Sequence, residues 1–209
     1  MKVVPVQVKM ADGSPLCGVM AVSVGYRHTV ALKSDGTVWT WGDNQCGQLG
    51  DATRTSNHLS PMPVKLANGS PFRGVIAIAA GARHTVALKA DGTVWGFGQN
   101  ERGALGIEVR SPNEPFPVQA KLPDGSPLSG ITAIAVGWCN TLARKEDGTM
   151  WVWGANDYGQ IGDGTSGRGT NRSYPVQVRK QDGTPLVHVI GIAAGALHTV
   201  AIIEEEEED

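Results

Sequence analysis

The chain has 209 residues, a length that suits one domain, or two small ones, with a sizeable core. Its 41% hydrophobic content supports folding, its 28 Gly and 12 Pro stay below the share that marks low-complexity disorder, and no apolar run approaches the ~20 residues that span a bilayer. The net charge of −2 hides a segregation: residues 204–209 form an unbroken acidic run, and without it 18 Lys and Arg face 14 acids.

That body is mildly basic, with no cationic cluster of the kind that grips nucleic acid, so neither nucleic acid nor a membrane is an expected partner. The acidic run reads as a solvated tail. The start has no long apolar segment followed by a small-residue cleavage site, which favours a cytoplasmic location. Cys17, Cys46 and Cys139 are odd in number and share no metal-ligand spacing, so they read as reduced thiols.

In chain order, residues 3–9 read as an outer strand, leading through Asp12-Gly13 into the first complete unit. Residues 19–24 are small and apolar, as in a strand buried on both faces. Residues 28–33 and 37–41 flank Ser34-Asp35-Gly36, and Asp-Gly between two β-rich runs predicts a type I′ hairpin with positive φ at both central residues. Residues 42–50 form a Gly-rich stretch around Asn44; no helix follows and Gly-Lys-Ser/Thr is absent, so it reads as a structural turn and not a phosphate loop. After the variable residues 51–60, Pro63-Val64-Lys65-Leu66 reads as an outer strand, because proline lacks the ladder donor. Asn68-Gly69 then turns the chain into the next inner strand.

This series repeats. Gly25, Gly81, Gly137 and Gly195 head equivalent cassettes at spacings of 56, 56 and 58 residues. Paired aromatics recur at Trp39 and Trp41, Trp95 and Phe97, and Trp151 and Trp153; they share a strand face and fit between sheets. The units are 19–74, 75–130 and 131–186, with an N-terminal piece at 3–18, an incomplete unit at 187–203, and the tail at 204–209. No stretch of ten residues keeps a 3.6 period. The expectation is an all-β single domain (1–203) of four-stranded antiparallel blades in a β-propeller. Counting 15 strands gives 3.75 blades, a partial ring that a homodimer would close, with residues 3–9 available to a blade of the second chain.

The Gly-x-x-His-Thr, Asp-Gly-Thr-x-x-x-Trp-Gly and Asn-x-x-Gly-x-Leu-Gly series resembles the regulator of chromosome condensation repeat family, over about residues 4–203. The resemblance implies a propeller, commonly seven-bladed. Functions in that family range from nucleotide exchange on a small GTPase to ultraviolet-B perception and β-lactamase inhibition. The long units with extra Asp-Gly-Ser-Pro hairpins resemble its bacterial members. Light sensing is disfavoured here, because no unit carries both Trp and Arg in the cassette: Tyr26-Arg27, Ala82-Arg83 and Trp138-Cys139 split them.

His28, His84 and His198 recur at one repeat position, with Asn140 in the third unit. An Asn replacement suits a structural hydrogen-bonding group better than a metal ligand, so these read as histidines bonding local backbone. His58 and His188 read as isolated and exposed. No nucleophile elbow, His-Glu-x-x-His or paired-carboxylate spacing is present, so neither an enzyme nor a cofactor is expected. What remains is a non-enzymatic module that binds an unidentified protein through blade-connecting loops. Tyr26, Arg27, Arg83 and Trp138 are the candidate contacts, since Arg and aromatics dominate hot spots; residues 51–60, 107–115 and 163–173 are the loops where units differ most. Guanine-nucleotide exchange and protein-type enzyme inhibition are the alternatives.

Overall fold

The computed structural model describes residues 4–54, 57–108 and 111–204. Fourteen strands are present among them. The first sheet is β1 (Val19–Val24), β2 (His28–Lys33), β3 (Val38–Gly42) and β4 (His58–Pro63); the second is β5 (Val75–Ala80), β6 (His84–Lys89), β7 (Val94–Gln99) and β8 (Asn113–Gln119). The third is β9 (Ile131–Val136), β10 (Asn140–Lys145), β11 (Met150–Gly154) and β12 (Arg172–Gln177), and β13 (Val189–Ala194) with β14 (Thr199–Ile203) makes a two-stranded fourth. Each sheet is an antiparallel meander whose strands neighbour in chain order. The expected all-β architecture of propeller blades stands; the described residues close no ring. Among the described residues, no helix is long and apolar enough to cross a membrane.

Alternation along a strand gives each sheet two apolar faces, one for each neighbour. Val30, Leu32 and Val38 of the first sheet meet Ala87 and Phe97 of the second, joined by Val64 and Phe72 from the hairpin between them. Val86, Leu88 and Val94 meet Ala143 and Trp153 in the same way. Leu142, Met150 and Val152 then pack against Ile192, Ala194 and Ala201. Each fully buried Leu contributes about 1.5–3 kcal/mol, so sheet-on-sheet packing carries the fold.

Several local expectations are corrected. At Asp35-Gly36 only Gly36 has positive φ, at 73°, so the connection is not type I′. The Gly36 N–H donates to Lys33 O and the Lys33 N–H to Thr37 O, while Asp35 Oδ1 accepts from the Thr37 N–H and hydroxyl. Aspartate is required as an acceptor that ties the turn, not as a residue tolerant of positive φ.

The outer strands begin earlier than Pro63 and its equivalents. Pro61 and Pro63 lie within β4, Pro115 and Pro117 within β8, and Pro175 within β12, all on the outer edge where a missing donor costs no ladder bond. Parts of the variable segments 51–60, 107–115 and 163–173 therefore belong to strands. Residues 4–8 form no strand: Lys9 bridges Pro15, and Val8 O accepts from the Leu16 N–H, so this segment folds on its own hairpin. Val3 lies outside the described residues, as does all of the acidic run except Glu204.

The inner strands are not buried on both faces; β5 and β9 are mostly half-buried, because their Ala-rich stretch lines an open axis. His58 is half-buried with its Nε2 2.7 Å from Asp51 Oδ2, whereas His188 is exposed.

The recurrent histidine does not bond local backbone. His28 Nε2 sits 3.0 Å from Thr85 Oγ1 in the next sheet, and His84 Nε2 sits 3.4 Å from Thr141 Oγ1 in the sheet after that. Each such threonine donates onward to a turn carbonyl of the preceding unit, Thr85 to Gln48 O and Thr141 to Ala104 O. The pair is thus a polar staple between blades. Asn140 is buried but its side chain has no hydrogen-bonding partner among the described residues, so it does not reproduce the staple. Gly25 and Gly81 precede these histidines because a Cβ there would strike the His28 or His84 ring.

Candidate functional site

The site grows from the tight connections between the first and second strand of each sheet. Residues 26, 82, 138 and 196 hold the same repeat position, and their backbones are linked around the axis. The Tyr26 N–H donates to Ala82 O at 3.3 Å, Ala82 N–H to Trp138 O at 3.0 Å, and Trp138 N–H to Ala196 O at 3.2 Å. Small residues at this narrow radius, including Ala80, Gly81, Gly137, Ala194 and Gly195, leave a shallow hollow of about 260 Å³.

Ala82 has no bulk to separate its neighbours. Tyr26 and Trp138 therefore stack across it, with centroids 6.2 Å apart and planes inclined by 26°. Both remain open to solvent, at 62% and 50% exposure. The Arg27 guanidinium lies 5.3 Å from the Tyr26 centroid, over its electron-rich face. Of the four candidate contacts, the structure brings Tyr26, Arg27 and Trp138 together. Arg83 stands apart, with its guanidinium against the Cys46 thiol of the preceding unit.

A second hollow of about 430 Å³ adjoins Trp138. Tyr158 and Leu197 form its apolar walls, and Arg102 paired with Asp157 its polar side. Sequence reasoning missed these residues. Tyr158 occupies a variable position of the Asn-x-x-Gly turn, where the other units carry Cys46 and Arg102, and a large aromatic there was the available signal.

Three asparagines fix these turns. Asn44 Oδ1 accepts from the Leu49 N–H, Asn100 Oδ1 from the Leu105 N–H and Asn156 Oδ1 from the Ile161 N–H, and Asn44 and Asn156 also donate to a threonine further along, Thr53 or Thr165. This agrees with the structural turn reading.

Burial pushes the Cys139 thiol up, with Arg102 opposing it, and burial likewise raises Cys46 against Arg83; neither has the lowered value of a reactive thiolate. Burial holds His28 down at about 4 and His84 at about 3, so both are neutral near pH 7. Among the described residues, no three His, Cys, Asp or Glu side chains converge as metal ligands.

A family model of the regulator of chromosome condensation (RCC1) repeat matches residues 35–88, 91–144 and 147–202. The chain belongs to this repeat family. A second RCC1 repeat model matches residues 20–48, 75–104 and 131–160. Among curated relatives, the ultraviolet-B receptor UVR8 of Arabidopsis thaliana is 30% identical over 90% of this chain and 40% of its own length. Human E3 ubiquitin-protein ligase HERC2 is 33% identical over 87% of this chain and 4% of its own. The chain thus spans two-fifths or less of these two relatives.

Among solved structures, Prp20p of Saccharomyces cerevisiae superposes with a TM-score of 0.71 at 22% identity, covering 89% of this chain and 44% of that one. Yeast RCC1 (Prp20) bound to Kap60 superposes with a TM-score of 0.70 at 25% identity, over 88% and 41%. These likenesses establish the RCC1-type propeller blade for the sheets described above.

Proposed function

We propose that this RCC1-repeat chain is a non-enzymatic protein-interaction module that receives an apolar anchor of a partner protein on its axial rim. The observation that carries the reading is the solvent-open stack of Tyr26 on Trp138, flanked by Arg27. Rigid aromatics beside an apolar-walled hollow, with a guanidinium at the edge, are the composition of an interface hot spot. The connections that present them are tied to one another by backbone hydrogen bonds from residue 26 through 82 and 138 to 196, so little ordering entropy opposes binding. A solved relative in the same fold is bound to a protein, Kap60, which is consistent with this use of the scaffold.

Affinity capture with the wild-type chain, followed by calorimetry on the partner it retains, tests the reading. Trp138→Ala should weaken that complex by roughly 30-fold or more, the scale of a hot-spot truncation. Retention of full affinity by both Trp138→Ala and Tyr26→Ala would remove the rim from consideration. Guanine-nucleotide exchange predicts accelerated nucleotide release from a small GTPase, and no feature of these residues favours it.

A further inference from the structure

The Asn-x-x-Gly turns of the first and third units hold a glutamine in one orientation. The Cys46 N–H donates to Gln48 Oε1 and the Tyr158 N–H to Gln160 Oε1, both at 2.9 Å. Both glutamines are buried, at 0% and 4% exposure. The backbone leading into the two turns also matches: the Asp43 N–H donates to Arg27 O at 2.8 Å, and the Ala155 N–H to Cys139 O at 2.9 Å.

The acceptor for the glutamine differs. In the first unit Gln48 Nε2 donates to Asp43 Oδ2 at 3.1 Å, and the Gln45 N–H donates to Asp43 Oδ1 at 3.2 Å. One carboxylate thus takes two donors. In the third unit Ala155 stands at the position of Asp43, and Asp157 at that of Gln45. A methyl group accepts nothing. Gln160 Nε2 and the Asp157 N–H therefore have no acceptor among the described residues, and Ala155, Asp157 and Gln160 all line the hollow of about 430 Å³ beside Trp138. The second unit has no such surplus: it carries Gln99 and Ala104 at the two positions, and Gln99 Nε2 donates to Glu101 Oε2 at 3.1 Å. Buried donors are ordinarily paired, so two converging on one hollow point to an acceptor supplied from outside.

We propose that this hollow takes the side-chain carboxylate of an acidic residue of a partner protein, seated on Gln160 Nε2 and the Asp157 N–H as the Asp43 carboxylate is seated on Gln48 Nε2 and the Gln45 N–H. The proposal rests on the reading of the axial rim as a binding surface and names the chemistry that surface receives. Two convergent N–H donors match the two oxygens of one carboxylate. Arg102 already pairs with the Asp157 carboxylate, which keeps the mouth of the hollow from turning negative. Trp138, Tyr158 and Leu197 wall the remainder, so an apolar residue next to the acidic one adds contact area. The chain supplies its own template, since Asp43 shows that this turn accommodates an aspartate side chain, at 8% exposure.

Amide NMR on the labelled 209-residue chain at pH 7, titrated with N-acetyl-Asp-Phe-amide, tests this. The expected result is a saturable shift of the Gln160 side-chain amide and the Asp157 N–H. N-acetyl-Asn-Phe-amide should bind about tenfold more weakly, the scale of exchanging a charge-assisted acceptor for a neutral one. Ala155→Asp provides the carboxylate from within the chain; it should move the same two signals without the probe and abolish the response to it. Gln160→Glu keeps the acceptor for the Tyr158 N–H, replaces the donor by an oxygen, and should also abolish binding; it carries the test if Ala155→Asp does not fold. No response of the two signals overturns the proposal, as does equal affinity for the two probes or binding that survives the substitutions. Tighter binding of N-acetylphenylalanine, whose carboxylate is terminal, also overturns it, because the hollow would then hold a chain end and not an acidic side chain. If the proposal fails while Trp138→Ala still weakens the captured complex, the rim remains a binding surface and only the carboxylate seat is lost.

Discussion

His28 and His84 show how a repeated side chain can be structural and still leave a pH signature. Both are neutral in the folded chain, with folded values of about 4 and about 3, below the ordinary imidazole value. The sign follows: the unfolded chain takes up a proton near pH 6.5 that the folded chain refuses, so stability is full above that pH and is lost as pH falls towards the folded values. Each histidine should remove about 1.4 kcal/mol per pH unit between pH 6 and 4. Urea unfolding at pH 7 and pH 5 measures this. The double variant His28→Asn, His84→Asn, which places at both sites the residue found at 140, should show a markedly flatter dependence.

Ala52 offers a second single-residue test. Its φ is 78°, while the equivalent Gly164 of the third unit has φ 79°. A Cβ in this region carries a steric cost that glycine escapes. Ala52→Gly is therefore expected to raise stability by about 1 kcal/mol, and a thermal or urea midpoint shift reads it directly.

Each β2–β3 type hairpin is held by a relay. In the second unit, Asp91 Oδ1 accepts from the Thr93 N–H at 3.0 Å and hydroxyl at 2.6 Å, and Thr93 Oγ1 accepts from Trp95 Nε1 at 2.9 Å. The Thr93 hydroxyl bond, first, and the backbone bond hold the Asp91 carboxyl below its usual range. Asp91→Ala strips both acceptor bonds and unpins the Thr93 hydroxyl that accepts from the Trp95 indole. The expected loss is about 1–2 kcal/mol, read as a lower urea midpoint with an unchanged slope. Asp91→Asn should recover part of it, because the amide oxygen still accepts. The motif Asp-Gly-Thr was visible in the sequence, but its turn type was not: identical letters serve a type I′ turn or a side-chain-tied turn, and only the φ of Asp35 and Asp91 separates them.

Taken whole, the molecule is a row of sheets packed on their neighbours, with the Tyr26–Trp138 stack the contact described that skips a sheet, so its stability is close to a sum of sheet and interface terms. The middle sheets are packed on both faces and the outer two on one. Hydrogen exchange in the 209-residue chain should therefore be slowest in β6, β7 and β10 and fastest in β13 and β14.

The period of 56 to 58 residues, with its Asp-Gly, Trp and Asn markers, was sufficient to define antiparallel four-stranded blades, because strand alternation and turn chemistry act within a few residues of each other. It also located Tyr26, Arg27 and Trp138, since large or charged side chains stood out at an otherwise small position. The tertiary structure alone decided what those residues do together. Tyr26 and Trp138 are 112 positions apart and stack because the chain curves about an axis and places Ala82 between them. The same curvature turned His28 towards Thr85 and added Tyr158 and Leu197 to the rim. Contacts between successive sheets depend on where whole blades sit, and no local pattern of residues encodes that distance.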